Sequence, residues 1–273
     1  MIKQLPNLFT LLNLVFGCLA CVAVLQPGII LVSDQSGQYY YELPEQIWLA
    51  SLFIGAGALV DYLDGMLARL LKAGSAMGRE LDSLSDVVTF GVAPSLILYQ
   101  FLRLAFASEQ TALDQSTLAV LPAFLLPAAA AWRLARFNLQ AGTAATSYFQ
   151  GLPVPAAGLF VAALPLIYWN SHTAWLVSLL LEPLFLYGVI LLLGGLMISK
   201  IPILAFKFAS FAWKENKLRY AVVLLALVFA VLFQWLAIPL TIVAYVLLSL
   251  FLDRKSTRLN SSHVSESRMP SSA

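Results

Sequence analysis

Four aspartates, Asp61, Asp64, Asp82 and Asp86, lie close together in a chain that is otherwise almost continuously apolar. A carboxylate near the hydrocarbon core of a bilayer is costly unless it is paired, hydrated or bound to a metal. Asp61 and Asp64 are spaced i,i+3 and Asp82 and Asp86 i,i+4, so on helices each pair shares a face. Four acids gathered this way repel one another, and the simplest relief is a divalent cation. Oxygen-only ligands favour a hard ion such as Mg²⁺ or Mn²⁺. Beside the acids, Gly65 and Ala68 remove side-chain bulk where a phosphate or nucleotide must approach, and Arg69 supplies a fixed cation suited to bidentate phosphate recognition. Gly74 and Gly78 allow the tight turn that brings the two pairs face to face.

The elements that must carry these acids are membrane helices. Hydrophobic residues make up 60% of the 273 and charged residues only 11%, against about 25% charged in a soluble domain. The net charge of +2 is too small to point to nucleic acid. Cys18 and Cys21, a turn apart in an apolar run, lack the further soft ligands of a metal site and read as packing residues. A single lysine precedes the first apolar run and no small-residue cleavage site follows, so that run reads as a retained span.

A bilayer core needs about 20 helical residues. Apolar runs of that kind fall near 6–26, 47–70, 82–105, 117–138, 154–171, 183–199, 219–234 and 236–252, the last two separated by a tight turn around Trp235. Lys and Arg collect on the cytoplasmic side. With Lys3 inside, Arg69, Lys72, Arg79, Arg133, Arg136 and the basic stretch 200–219 also fall inside, whereas the 27–46 loop, with Asp34, Glu42 and Glu45, falls outside. The expected fold is all-α: a polytopic bundle of about eight transmembrane helices, both termini cytoplasmic, over residues 1–253. Residues 254–273 are polar and serine-rich, without helical periodicity, and read as a disordered, appended tail.

The pattern Asp61-x2-Asp64-Gly65-x2-Ala68-Arg69-x8-Gly78-x3-Asp82-x3-Asp86 resembles the signature of the CDP-alcohol phosphatidyltransferases at every fixed position. The resemblance implies a six-helix core, here with two helices added, and two divalent metals, Mg²⁺ or Mn²⁺, on Asp61, Asp64, Asp82 and Asp86. It implies that Asp86 also deprotonates the acceptor alcohol, and that Asp61, Gly65, Ala68, Arg69 and Gly78 bind CDP-diacylglycerol. A homodimer in the bacterial inner (cytoplasmic) membrane, its active site facing the cytoplasm, is the assembly it suggests. A carboxylate-lined ion transporter is the competing class; it predicts broken helices in repeated halves, and no internal repeat is visible. A set of acids satisfied structurally by Lys72, Arg69 and Arg79 is the other.

Further segments resemble the phosphatidylserine synthase branch: LPNLFTLLNLVFGCLA at 5–20, SDVVTFGVAPSLILY at 85–99, RLARFN at 133–138, FQGLPVPAA at 149–157 and LMISKIPILAFK at 196–207. Pro6, Asn7 and Thr10 belong to a pattern shared widely in the superfamily. Asn13 stands where relatives using glycerol phosphate tend to carry arginine, which favours another acceptor. In RLARFN, Arg133 and Arg136 offer guanidinium forks to a carboxylate, and the Asn138 amide can accept from an ammonium; L-serine carries both groups. Both arginines also fit as anchors reaching lipid headgroups. Lys200 and Lys207 are weaker candidates of the same kind. Glycerol 3-phosphate or an inositol phosphate stays open as the acceptor.

Overall fold

In lipid every backbone N–H and C=O must be satisfied within the protein, which leaves helices as the way for these apolar runs to cross. The computed structural model is mostly helical and describes residues 4–26, 28–33, 37–107, 117–140, 148–171, 173–204 and 213–266, with side chains undescribed at 140, 148–149, 204, 213–219 and 252–266. Lys3, Asp34, Lys207 and the tail beyond 266 lie outside these residues. The helices are α1 (Leu5–Leu25), α2 (Trp48–Leu70), α3 (Ala76–Asp86), α4 (Ala93–Ala107), α5 (Thr117–Val120), α6 (Leu125–Gln140), α7 (Val154–Asn170), α8 (Ala174–Leu180), α9 (Pro183–Ile198), α10 (Trp213–Phe233) and α11 (Ala237–Glu266). A π-helical turn, Val87–Val92, joins α3 to α4.

Each of the eight apolar runs carries helix, and the chain is an integral membrane protein. Among the described residues five segments are long and apolar enough to cross a bilayer, or six if the bent pair α8–α9, which meets at 64°, counts as one span. Length and composition thus account for five or six of the eight expected spans. Helix α7 has 17 residues, about 26 Å at 1.5 Å per residue, shorter than the core of a typical bilayer. The 220–251 segment breaks at Gln234–Leu236, where Gln234 takes a positive φ of 48°, at the turn expected around Trp235. Helix α11 runs on to Glu266, where disorder was expected from 254. Neither Gly nor Pro interrupts 254–266, and extending an existing helix costs far less than starting one.

The chain divides into two compact units, Met1–Ala144 with Leu152–Ile198, and Ala145–Gly151 with Ser199–Ala273. In the first, α1 buries Pro6, Thr10, Asn13, Gly17, Ala20 and Val24, a stripe at alternating four- and three-residue spacing. Helix α2 answers with Ala50, Ile54, Gly57, Val60 and Asp64. Small residues on both stripes let the backbones approach closely, as packing in lipid requires. The opposite face of α1, with Leu8, Val15, Leu19 and Val22, stays exposed and suits contact with lipid tails. Helices α6 and α9 pair beside the π turn, and α7 packs on α2 and α4.

Two small antiparallel ladders depart from the all-helical expectation. Strand β1 (Ile30–Ser33) pairs with β2 (Tyr39–Glu42), Ile30 opposite Glu42 and Ser33 opposite Tyr39. In the second unit β3 (Tyr148–Gln150) pairs with β4 (Pro202–Leu204). The β-branched and aromatic residues of ILVS and YYYE favour the pleated form once outside a span. Gly151, at φ +75°, sits at the end of β3, where the left-handed conformation is open to glycine at little cost. Its N–H donates to Ile201 O at 2.9 Å.

Candidate functional site

Ser75 starts α3. Its extended backbone leaves the helix, and its Oγ accepts from the Gly78 N–H at 2.9 Å, satisfying one of the open donors of the first turn. The turn into α3 takes its left-handed residue at Lys72, φ +48°, whereas neither Gly74 nor Gly78 has a positive φ. Gly78 is needed for a different reason from the one its type suggested. A Cβ there would stand 3.0 Å from Asn7 Oδ1 and 3.1 Å from Ser75 Oγ, so glycine lets α1 and α3 close together.

This turn brings the two aspartate pairs face to face, as the spacing predicts. Carboxylate oxygens of Asp61, Asp64 and Asp82 all lie within 4.8 Å of one another. At that separation ionised carboxylates repel one another unless a proton or a cation lies between them. Asp86 is buried beside them and falls outside the three-residue cluster, though close enough to interact electrostatically with all three. The four acids act electrostatically on one another. Of the cations in the purely structural alternative, Arg69 bonds instead to its own helix backbone at Gly65 O. A set of hard oxygen donors at these separations fits a divalent metal.

Helix α1 contributes a polar seam that holds both pairs. Thr10 Oγ1 donates to Asp64 Oδ2 at 2.7 Å. Asn13 Nδ2 donates to Asp86 Oδ1 at 3.3 Å, and Ser85 Oγ donates to Thr10 O at 3.1 Å. A cleft of about 120 Å³ opens in front of the acids, lined by Asn7 and Thr10 of α1, Asp64, Gly65 and Ala68 of α2, and Gly78, Arg79 and Asp82 of α3. A Cβ on Gly65 would meet no protein atom within 4 Å, so that glycine borders open space. Arg69 folds back, its Nε donating to Gly65 O at 2.9 Å. The cation that lines the cleft is Arg79.

A family model described as CDP-alcohol phosphatidyltransferase matches residues 3–199. The chain belongs to this family. The match includes all the helices that carry the site, α1, α2 and α3. A Helicobacter pylori protein named CDP-diacylglycerol–serine O-phosphatidyltransferase is 34% identical over 224 residues, 82% of this chain and 81% of the relative. Proteins of the same name from Bacillus subtilis and Saccharomyces cerevisiae are each 41% identical, over 46% and 41% of this chain and 65% and 39% of their own lengths. Enzymes of the CDP-alcohol phosphatidyltransferase family use divalent metals, and the aspartate cluster supplies the donors for them.

The RLARFN residues lie on α6, which packs against α3 and α9. Arg133 is buried. Arg136 Nη1 donates to Ile198 O at 2.8 Å, on the last residue of α9. Asn138 Nδ2 donates to Ser83 Oγ at 3.0 Å and approaches Glu80 Oε1 at 3.5 Å, which ties α6 to the aspartate-bearing helix. Lys200 is exposed. Ser83, Ser85, Thr89 and Glu80 escape the sequence reading, since each is a common polar residue whose partner is distant in sequence.

Proposed function

We propose that this chain transfers the phosphatidyl group of CDP-diacylglycerol to the hydroxyl of L-serine, giving phosphatidylserine and CMP. The carrying observation is the three-carboxylate cluster at the mouth of a cleft bordered by Gly65, Ala68 and Gly78. It stands in a chain whose similarity to named serine O-phosphatidyltransferases runs over most of its length. Asp61, Asp64 and Asp82 hold divalent metal, Mg²⁺ or Mn²⁺, with Asp86 completing a two-ion set. Bound there, the ions supply charge neutralisation on the diphosphate. Gly65 and Ala68 leave the backbone open for the CDP group, Gly78 lines the same cleft where α1 and α3 close together, and Arg79 and Arg69 provide positive charge near the phosphates. Asp86 takes the proton of the serine hydroxyl. The serine oxygen forms a bond to the phosphatidyl phosphorus, and the bond from that phosphorus to the CMP oxygen breaks with its electron pair leaving on CMP.

Arg133, Arg136 and Asn138 are assigned to the serine carboxylate and ammonium. The support is a charge buried within a candidate span, a position that is rare without a function, on a helix bonded to α3. Replacing each by alanine should raise the serine KM more than the CDP-diacylglycerol KM, by about ten- to a hundredfold for a lost charge-assisted hydrogen bond. Unchanged serine kinetics in all three variants would leave them as structural ties. Arg69, Lys72 and Arg79 around the site turn favour a cytoplasmic active site, in the inner membrane and in a homodimer as the resemblance suggests. Another acceptor alcohol is the alternative, and a panel of alcohols in a CMP-release assay separates the two.

A further inference from the structure

Asn13 is fully buried one turn beyond Thr10 on α1. An ionised carboxylate only accepts hydrogen bonds, so the amide nitrogen is the end that faces Asp86 Oδ1. The amide oxygen has no hydrogen-bond partner, and it abuts Gly57, where an added Cβ would stand 2.9 Å away. A buried acceptor left open is destabilising, and a leucine would fill similar volume without that cost. Packing alone therefore gives no reason for asparagine here. The surroundings fix its position. Thr89 Oγ1 donates to Asn13 O at 3.0 Å, and Gly17 and Gly57 leave the room that Thr89 occupies. Thr89 itself lies in the π turn that begins immediately after Asp86, a form of helix that is rare and concentrated at functional sites.

We infer that Asn13 is a positioning residue for the transfer reaction. It ties one oxygen of the Asp86 carboxylate to α1, so that the group holds one rotamer and presents its other oxygen to the acceptor hydroxyl. The inference rests on the assignment of Asp86 as base. Metal and nucleotide binding, carried mainly by Asp61, Asp64 and Asp82, should depend on it far less than turnover does.

The test uses the purified full-length protein with Asn13→Leu and Asn13→Asp, each alone and with Asp86→Asn. Turnover should fall about ten- to a hundredfold in both single variants. Calorimetric binding of CDP with Mn²⁺ should stay within about threefold of the parent. Adding Asn13→Leu to Asp86→Asn should cost nothing further, because the two residues act as one unit. A kcat within about twofold of the parent, CDP binding lost in step with turnover, or a full extra loss in the double variant would each overturn the inference. If Asn13→Leu does not fold, Asn13→Asp, nearly identical in shape, carries the test. Failure of the base assignment shows separately, as turnover retained by Asp86→Asn alone.

Discussion

Asp82 and Asp86 are one helical turn apart, yet their neighbours divide their work. Asp82 lines the cleft and shares the cluster with Asp61 and Asp64, whereas Asp86 is buried behind it and held by the Asn13 amide. Asp86→Asn should keep much of the affinity for CDP and Mn²⁺ while losing about 10²–10⁴ in turnover, the usual magnitude for a general base. Asp82→Asn should weaken metal and nucleotide binding together with turnover. Calorimetry on both variants decides this. If Asp86→Asn binds as poorly as Asp82→Asn, Asp86 is chiefly a ligand and the base lies elsewhere. At this scale the sequence was most informative. Carboxylates stand out against an apolar background, and their i,i+3 and i,i+4 spacings survive into the fold because a helix fixes them. The Arg69 side chain was not legible in the same way, since its type suits a phosphate equally whether it points to the cleft or back along its own helix.

Helix α1 is the element whose contribution was hardest to foresee. Asn7, Thr10 and Asn13 recur every three residues on an otherwise apolar helix, which marks one polar face but not its partners. The partners that Thr10 and Asn13 find on α2, α3 and the π turn are 54, 73, 75 and 76 residues away, and no local pattern encodes contacts of that range. Thr10→Val keeps the shape of the side chain and removes the bond to Asp64 Oδ2. Partners of metal-binding groups typically contribute ten- to a hundredfold in metal affinity. The Mn²⁺ concentration for half-maximal activity should rise by about that factor, with helix content by circular dichroism unchanged. An unshifted Mn²⁺ titration would show that Thr10 only packs. The π turn after Asp86 and the left-handed Lys72 were equally hidden. VVTFGV carries no signature of its own, and a lysine at positive φ is imposed by the helices it connects.

On the scale of the whole molecule, the apolar runs announced a membrane protein, and every run became a helix. Which runs cross fully was not legible, because α7's length and the 64° bend between α8 and α9 depend on how the helices pack. The charge arrangement bears directly on function. Acids gathered on the C-terminal half of α2 and the C-terminal half of α3, close enough to repel one another, need cations to work. EDTA should abolish turnover, and Mn²⁺ or Mg²⁺ should restore it; full activity in metal-free membranes would contradict a metal-dependent site. The most direct test of the central claim combines the protein with CDP-diacylglycerol, Mn²⁺ and radiolabelled L-serine. The account predicts label in lipid and CMP released in equal amount, both lost in Asp82→Asn. Serine left unlabelled in lipid, with CMP released only when glycerol 3-phosphate or an inositol phosphate is supplied, would contradict it.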